Sequence, residues 1–196
     1  MCEINHMHFY GMQLDEDQQD FVSAVMDQKY TIVFCNAAAG TGKTTLSIFF
    51  LSWIGGKNPE LSVLGGSHSN SLLHGIFDEL LRVLDKDGEY LYNDVFPLAP
   101  VVGNSGKELR IDLQTQKRFE TFEFSSIGSG NAGKVRCSRL LYCDDLIGGI
   151  EEALNKDRLK AAWDKVENNL IPRAKEKAKL LWNGTRWSNL DPIGLR

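Results

Sequence analysis

Thr31-Ile-Val-Phe-Cys-Asn36-Ala-Ala-Ala-Gly40-Thr-Gly42-Lys43-Thr44-Thr45 decides how the rest of this chain is read. An apolar, β-branched run breaks into a loop of small residues, and a helix-compatible segment, Leu46 to Trp53, follows. Strand, small-residue loop and helix in that order make a phosphate cradle, because small residues let successive backbone N–H groups turn inward. The cradle spans Ala37, Ala38, Ala39, Gly40, Thr41, Gly42, Lys43, Thr44 and Thr45, with Ala37 where the pattern more often has glycine. Lys43 would add a point charge at the β- and γ-phosphates, and Thr44 a hydroxyl for Mg²⁺. ATP and Mg²⁺ are the expected ligands. The competing reading is a glycine-rich turn that merely opens a buried helix.

The 196 residues give room for one substantial domain with a full core. We therefore expect residues 1–196 to form a single domain, with 1–13 a loosely ordered extension. Twenty-two basic against 26 acidic side chains leave a formal charge of −4, so nucleic-acid contact would need a local patch. The N-terminus lacks the charged-then-apolar design of a signal peptide, and no apolar run approaches the ~18 residues of a membrane span. A soluble, intracellular protein with no membrane partner is the expectation. Cys2, Cys35, Cys137 and Cys143 show no Cys-x-x-Cys pairing, which argues against a zinc site. Cys35 and Cys143 fall in strand-like runs and read as small buried hydrophobes. Cys2, His6 and His8 read as part of a frayed terminus; His68 and His74, six apart, receive no catalytic role.

Along the chain, residues 14–28 read as a helix with an acidic first turn and an apolar face of Phe21, Val22, Val25 and Met26. A strand over 31–36 and a helix over Leu46–Ile54 follow, the helix stopped by Gly55-Gly56-Lys57-Asn58-Pro59. Ser62–Gly66 is a short strand, and Ser67–Asn70 supplies N-cap chemistry for a helix to about Leu84. Asp85–Gly106 reads as loops with short pieces. Alternation at Leu109, Ile111 and Leu113, and at Phe122 and Phe124, suggests a pair of strands. Ser125–Lys134 is a glycine-rich loop without the Gly-Lys-Ser/Thr unit of a second phosphate loop. Arg139–Asp145 is a strand ending in two carboxylates, a helix occupies about 150–170, and Lys179–Asn183 is the last strand. This alternation predicts an α/β fold whose mainly parallel central sheet is flanked by helices.

Carboxylates at the C-terminal end of a buried strand sit in the crevice where α/β sheets bind ligands. Asp144 is the natural partner of Thr44 on Mg²⁺, and Asp145 the group to orient or deprotonate water. Taken alone, the pair could equally cap the next helix. Positive charge on the departing phosphate could come from Lys134, Arg136, Arg139 or Arg186; Arg136, at a loop end, is the candidate to reach a neighbouring subunit. Gln18 or Gln19 could read an adenine edge. Lys156, Arg158, Lys160, Arg173, Lys175, Lys177 and Lys179 form a candidate DNA patch, interleaved with acidic residues as a solvated face would be.

Several motifs in order resemble the ATPase domain of phage terminase large subunits. They are Ile48-Phe-Phe-Leu-Ser-Trp53, Gly66-Ser-His-Ser69, Tyr92-Asn-Asp-Val-Phe-Pro97, Leu140-Leu-Tyr-Cys-Asp-Asp-Leu-Ile147, Gly149-Ile-Glu-Glu-Ala-Leu-Asn155 and Gly184-Thr-Arg-Trp-Ser-Asn-Leu-Asp-Pro-Ile-Gly194. The N-terminal segment, with Phe9-Tyr-Gly-Met12 and the phosphate loop, looks more like PhoH-type or helicase-like ATPases. The resemblance implies a P-loop NTPase of the additional-strand, RecA-like type. It implies ATP hydrolysis driving double-stranded viral DNA into proheads, in the cytoplasm of the infected bacterial host. Its implied partners are a homo-oligomeric ring on a portal, a small terminase subunit, and a nuclease domain that is separate or missing here. It also implies that Gly184-Thr185 is the motif coupling γ-phosphate loss to motion. Terminases often carry a basic residue where this loop has Gly40. A PhoH-like or helicase-related ATPase acting on RNA or single strands, and an ATP-binding assembly module with negligible turnover, are the alternatives.

Overall fold

A computed structural model describes residues 16–38, 40–128 and 136–186. The expectations on residues 1–13 (with Cys2, His6, His8 and Phe9–Met12), on Ala39 and Lys134, and on the closing motif from Trp187 onward lie outside the described residues. In chain order the elements are α1 (Glu16–Met26), β1 (Ile32–Asn36), α2 (Lys43–Lys57), β2 (Val63–Ser67) and α3 (Asn70–Leu84). Next come α4 (Tyr92–Val95), β3 (Val101–Ser105), β4 (Arg110–Leu113), β5 (Phe122–Ser126) and β6 (Leu140–Asp144). After them come α5 (Ile150–Ala153), α6 (Lys156–Lys165) and β7 (Lys179–Gly184).

The seven strands form one sheet in the order β1-β7-β6-β2-β5-β4-β3. The first five in that order run parallel, and β4 and β3 add an antiparallel edge. The fold is therefore α/β with a mostly parallel, mixed sheet flanked by helices. Parallel strands covered on both faces read as continuous apolar runs, and β6, Leu-Leu-Tyr-Cys-Asp, is buried at every position.

One core layer packs α1, α2 and α3 on the sheet, with Phe50, Trp53, Phe77 and Leu80 at its centre. Helix α2 is buried along every residue from Leu46 to Gly55, as expected of a helix apolar on all sides. It runs through Gly55 and Gly56 instead of stopping there. A Cβ at Gly55 would meet the Phe122 ring at 2.4 Å, and one at Gly56 the Phe96 ring at 2.4 Å. These glycines admit neighbouring rings; they do not break the helix.

The opposite layer, centred on Leu141, Leu159, Val166, Leu170 and Trp182, packs α6 on the other face. The single helix expected over 150–170 is three pieces. Asn155 caps α6 by accepting from the Asp157 and Arg158 N–H groups, and a π-turn (Val166–Leu170) and a 3₁₀ turn (Ile171–Arg173) close it. Pro172 lacks the N–H and helps to end the helical segment there. Within Asp85–Gly106, expected as loops with short pieces, those pieces are α4 and the edge strand β3. No helix among the described residues is long and apolar enough to cross a membrane.

Candidate functional site

The C-terminal ends of β1, β7, β6 and β2 bring the motifs together. Beyond β1 the loop turns through Gly40 at φ 82° and Gly42 at φ 77°, backbone that L side chains rarely adopt. Gly42 is the N-cap of α2 and, being glycine, brings no side chain to cap its first-turn N–H groups. Thr41 Oγ1 donates to the Ala38 carbonyl at 2.9 Å and braces the loop from within. Ala38, Gly40, Thr41, Gly42 and Thr45 are exposed, whereas Ala37, Lys43 and Thr44 are half-buried.

Lys43 Nζ donates to Thr185 Oγ1 at 3.4 Å, and Thr185 Oγ1 donates onward to the Ala37 carbonyl at 3.2 Å. The end of β7 is thus tied to both sides of the loop. Thr44 Oγ1 donates to Asp144 Oδ2 at 3.1 Å across 100 residues of sequence. Asp144 is fully buried, and its Oδ1 has no hydrogen-bond partner among the described residues. Burial and the charge of Asp145 push its carboxyl up to about 6, against the opposing pull of the Tyr142 and Thr44 hydroxyls and of Lys43. Beneath it, Asn183 Nδ2 reaches Ser47 Oγ at 3.3 Å and the Tyr142 hydroxyl at 3.5 Å, which joins β7, α2 and β6 by polar contacts. Burial, then Asp144, holds the Tyr142 phenol well above its ordinary range.

Asp145, half-buried, has φ 38°. A non-glycine residue there carries about 1–2 kcal/mol of strain, less for aspartate than for most. Its N–H donates to the Asn183 carbonyl at 3.0 Å. No described residue donates to its carboxylate. Cys35, expected to be buried, is only half-buried on the edge strand; burial raises its thiol, opposed by Lys43. Cys137 and Cys143 are buried and free.

A bare buried carboxylate oxygen beside a hydroxyl suits a hard, oxygen-seeking cation. Thr44 and Asp144 therefore fit Mg²⁺. Among the described residues no three His, Cys, Asp or Glu side chains gather into a metal cluster. A cation at this pair would be shared with ligand oxygens, as Mg²⁺ commonly is.

Other expected residues lie elsewhere. Arg136 is exposed before the start of β6, at the opposite end of the strand from Asp144, and Arg139 lies at that end too. Arg186 follows Thr185 at the site edge, its backbone N–H donating to Asn36 Oδ1 at 3.1 Å. Gln18 sits half-buried in the first turn of α1. The basic cluster is divided: Lys156, Arg158 and Lys160 are exposed at the start of α6, while Arg173 to Lys179 lie beyond its far end. Lys179 Nζ is engaged by the Val25 and Asp27 carbonyls, and Arg173 Nε by that of Asn169.

The residue missed from sequence is His68, which follows β2 and places Nδ1 2.5 Å from the Asp145 carbonyl. Only its position, one residue past a strand inside Gly66-Ser-His-Ser69, pointed to this end of the sheet. No family model matches the chain, and no curated protein matches it either.

Proposed function

We propose that the chain is a Mg²⁺-dependent P-loop ATPase of the additional-strand type. The observation that carries this reading is the union of Lys43, Thr44, Asp144 and Thr185 at the C-terminal ends of the strands, with β7 inserted between loop strand β1 and carboxylate strand β6. Within that class, the order of motifs supports a motor of the terminase kind, acting on double-stranded DNA as a ring on a portal.

In this reading Ala37 to Thr45 wrap the phosphates, and Lys43 neutralises charge growing on the leaving oxygens. Thr44 and Asp144 would hold Mg²⁺, whose charge draws electron density from the phosphates when it is bound. Asp145 takes the proton of the attacking water or orients it. Thr185, bonded to both Lys43 and the loop, passes the change at the γ-position into β7. Arg186 stands at the right end of the strands to add charge in the same subunit; Arg136, at the far end, would act only on a neighbour's nucleotide. The small terminase subunit, the nuclease and the infected-cell cytoplasm belong to the same proposal.

The test is ATP hydrolysis over a range of protein concentrations, alone, with duplex DNA and with RNA, beside Lys43→Ala. Turnover that climbs faster than linearly and responds to duplex DNA supports the packaging motor. Stimulation by RNA alone replaces it with a PhoH-like reading. Activity at the level of Lys43→Ala leaves a nucleotide-binding assembly module.

A further inference from the structure

Asp145 is held by its backbone. Besides the N–H bond to Asn183, its carbonyl accepts from the His68 N–H at 3.4 Å, from Ser67 Oγ at 3.4 Å and from His68 Nδ1 at 2.5 Å. A carbonyl only accepts, so His68 must carry a hydrogen on Nδ1. The far edge of the ring lies along Gly148, where an added Cβ would stand 3.3 Å from His68 Cδ2. Gly148 in turn donates its N–H to Glu152 Oε2 at 2.6 Å. The turn from Asp145 to Gly148 is thus clamped at its first residue by His68 and at its last by Glu152. No described residue donates a hydrogen bond to the Asp145 carboxylate, so the bonds that hold this residue beside Asp144 are those of its backbone.

We infer that His68 is a positioning residue for Asp145: its Nδ1–H fixes the left-handed turn that aims the carboxylate. This rests on the ATPase reading above. His68 directly precedes Ser69, whose side chain caps α3, so the same contact ties the start of α3 to the water-activating residue.

The experiment compares wild type with His68→Ala, His68→Asn and His68→Gln, measuring kcat, KM for MgATP and thermal midpoint. His68→Ala is expected to lower kcat about tenfold to a hundredfold, the cost of a misaimed catalytic group, with KM within about twofold. Asn places an N–H donor close to the position of Nδ1 and should restore most of the loss; Gln, one methylene longer, should not. Equal kcat in wild type and His68→Ala, or equal impairment of the Ala and Asn variants, overturns the inference while leaving the ATPase reading intact. Wild-type turnover no higher than Lys43→Ala overturns the ATPase reading, and the positioning role with it. A long-range ¹H–¹⁵N spectrum at pH 8 tests the contact without turnover: hydrogen on Nδ1 supports it, and hydrogen on Nε2 alone overturns it.

Discussion

Asp144 shows what a single buried carboxylate costs the fold. Folding raises its carboxyl from 3.8 to about 6, so between those values the native state binds more protons than the unfolded chain. The contribution of this group therefore falls as pH rises through that window, and burial together with the charge of Asp145 costs the folded protein about 3 kcal/mol at neutral pH. Asp144→Asn should accordingly be more stable than wild type at pH 7, with the difference shrinking towards pH 4. Urea melts of both proteins across that range measure it; a constant difference would sink the argument. On the proposed Mg²⁺ site, Mg²⁺ with ATP should stabilise wild type more than the variant at pH 7 and so narrow the difference. The loop and the paired carboxylates were legible in sequence because their spacing is local. His68 was not, since its contact with Asp145 joins residues 77 apart and leaves no periodic trace.

Helices and strands were legible to different degrees, for different reasons. The start of α3 was readable from its Ser69 cap, and β6 from an apolar run closed by carboxylates. Strand β3 was not, because Gly103 and Asn104 give it little strand character of its own and pairing with β4 makes it a strand. Gly55-Gly56 misled in the other direction. Propensity makes Gly55→Ala stabilising by up to about 1 kcal/mol, but the Phe122 ring stands 2.4 Å from the new methyl. We expect a net loss of about 1–3 kcal/mol from overpacking. Denaturant melts should show it, with Phe122→Leu recovering part of the loss in the double variant. A stabilised Gly55→Ala would mean that α2 shifts freely on β5.

For the whole molecule, the sheet is the shared wall of two apolar layers. Trp53 lies in one, and Trp163 and Trp182 pack in the other, with Trp163 against Trp182 at 5.8 Å between ring centroids. Since β1, β7, β6 and β2 each give side chains to both layers, Trp53→Phe and the double variant Trp163→Phe/Trp182→Phe should each unfold in a single transition. Each fluorescence transition should coincide with that protein's loss of far-ultraviolet circular dichroism. Separate midpoints would divide the chain into independent units. By itself the sequence determined the α/β class, the small-residue loop after β1 and the carboxylates at the end of β6, because small-residue turns and apolar runs act over a few neighbouring residues. Only the tertiary structure decided that β7 lies between them, that Thr185 bridges Lys43 to the loop, and that His68 rather than Arg136 stands at this end of the sheet. Strand order and packing join residues far apart in the chain, and local pattern carries no record of which distant partner a strand will take.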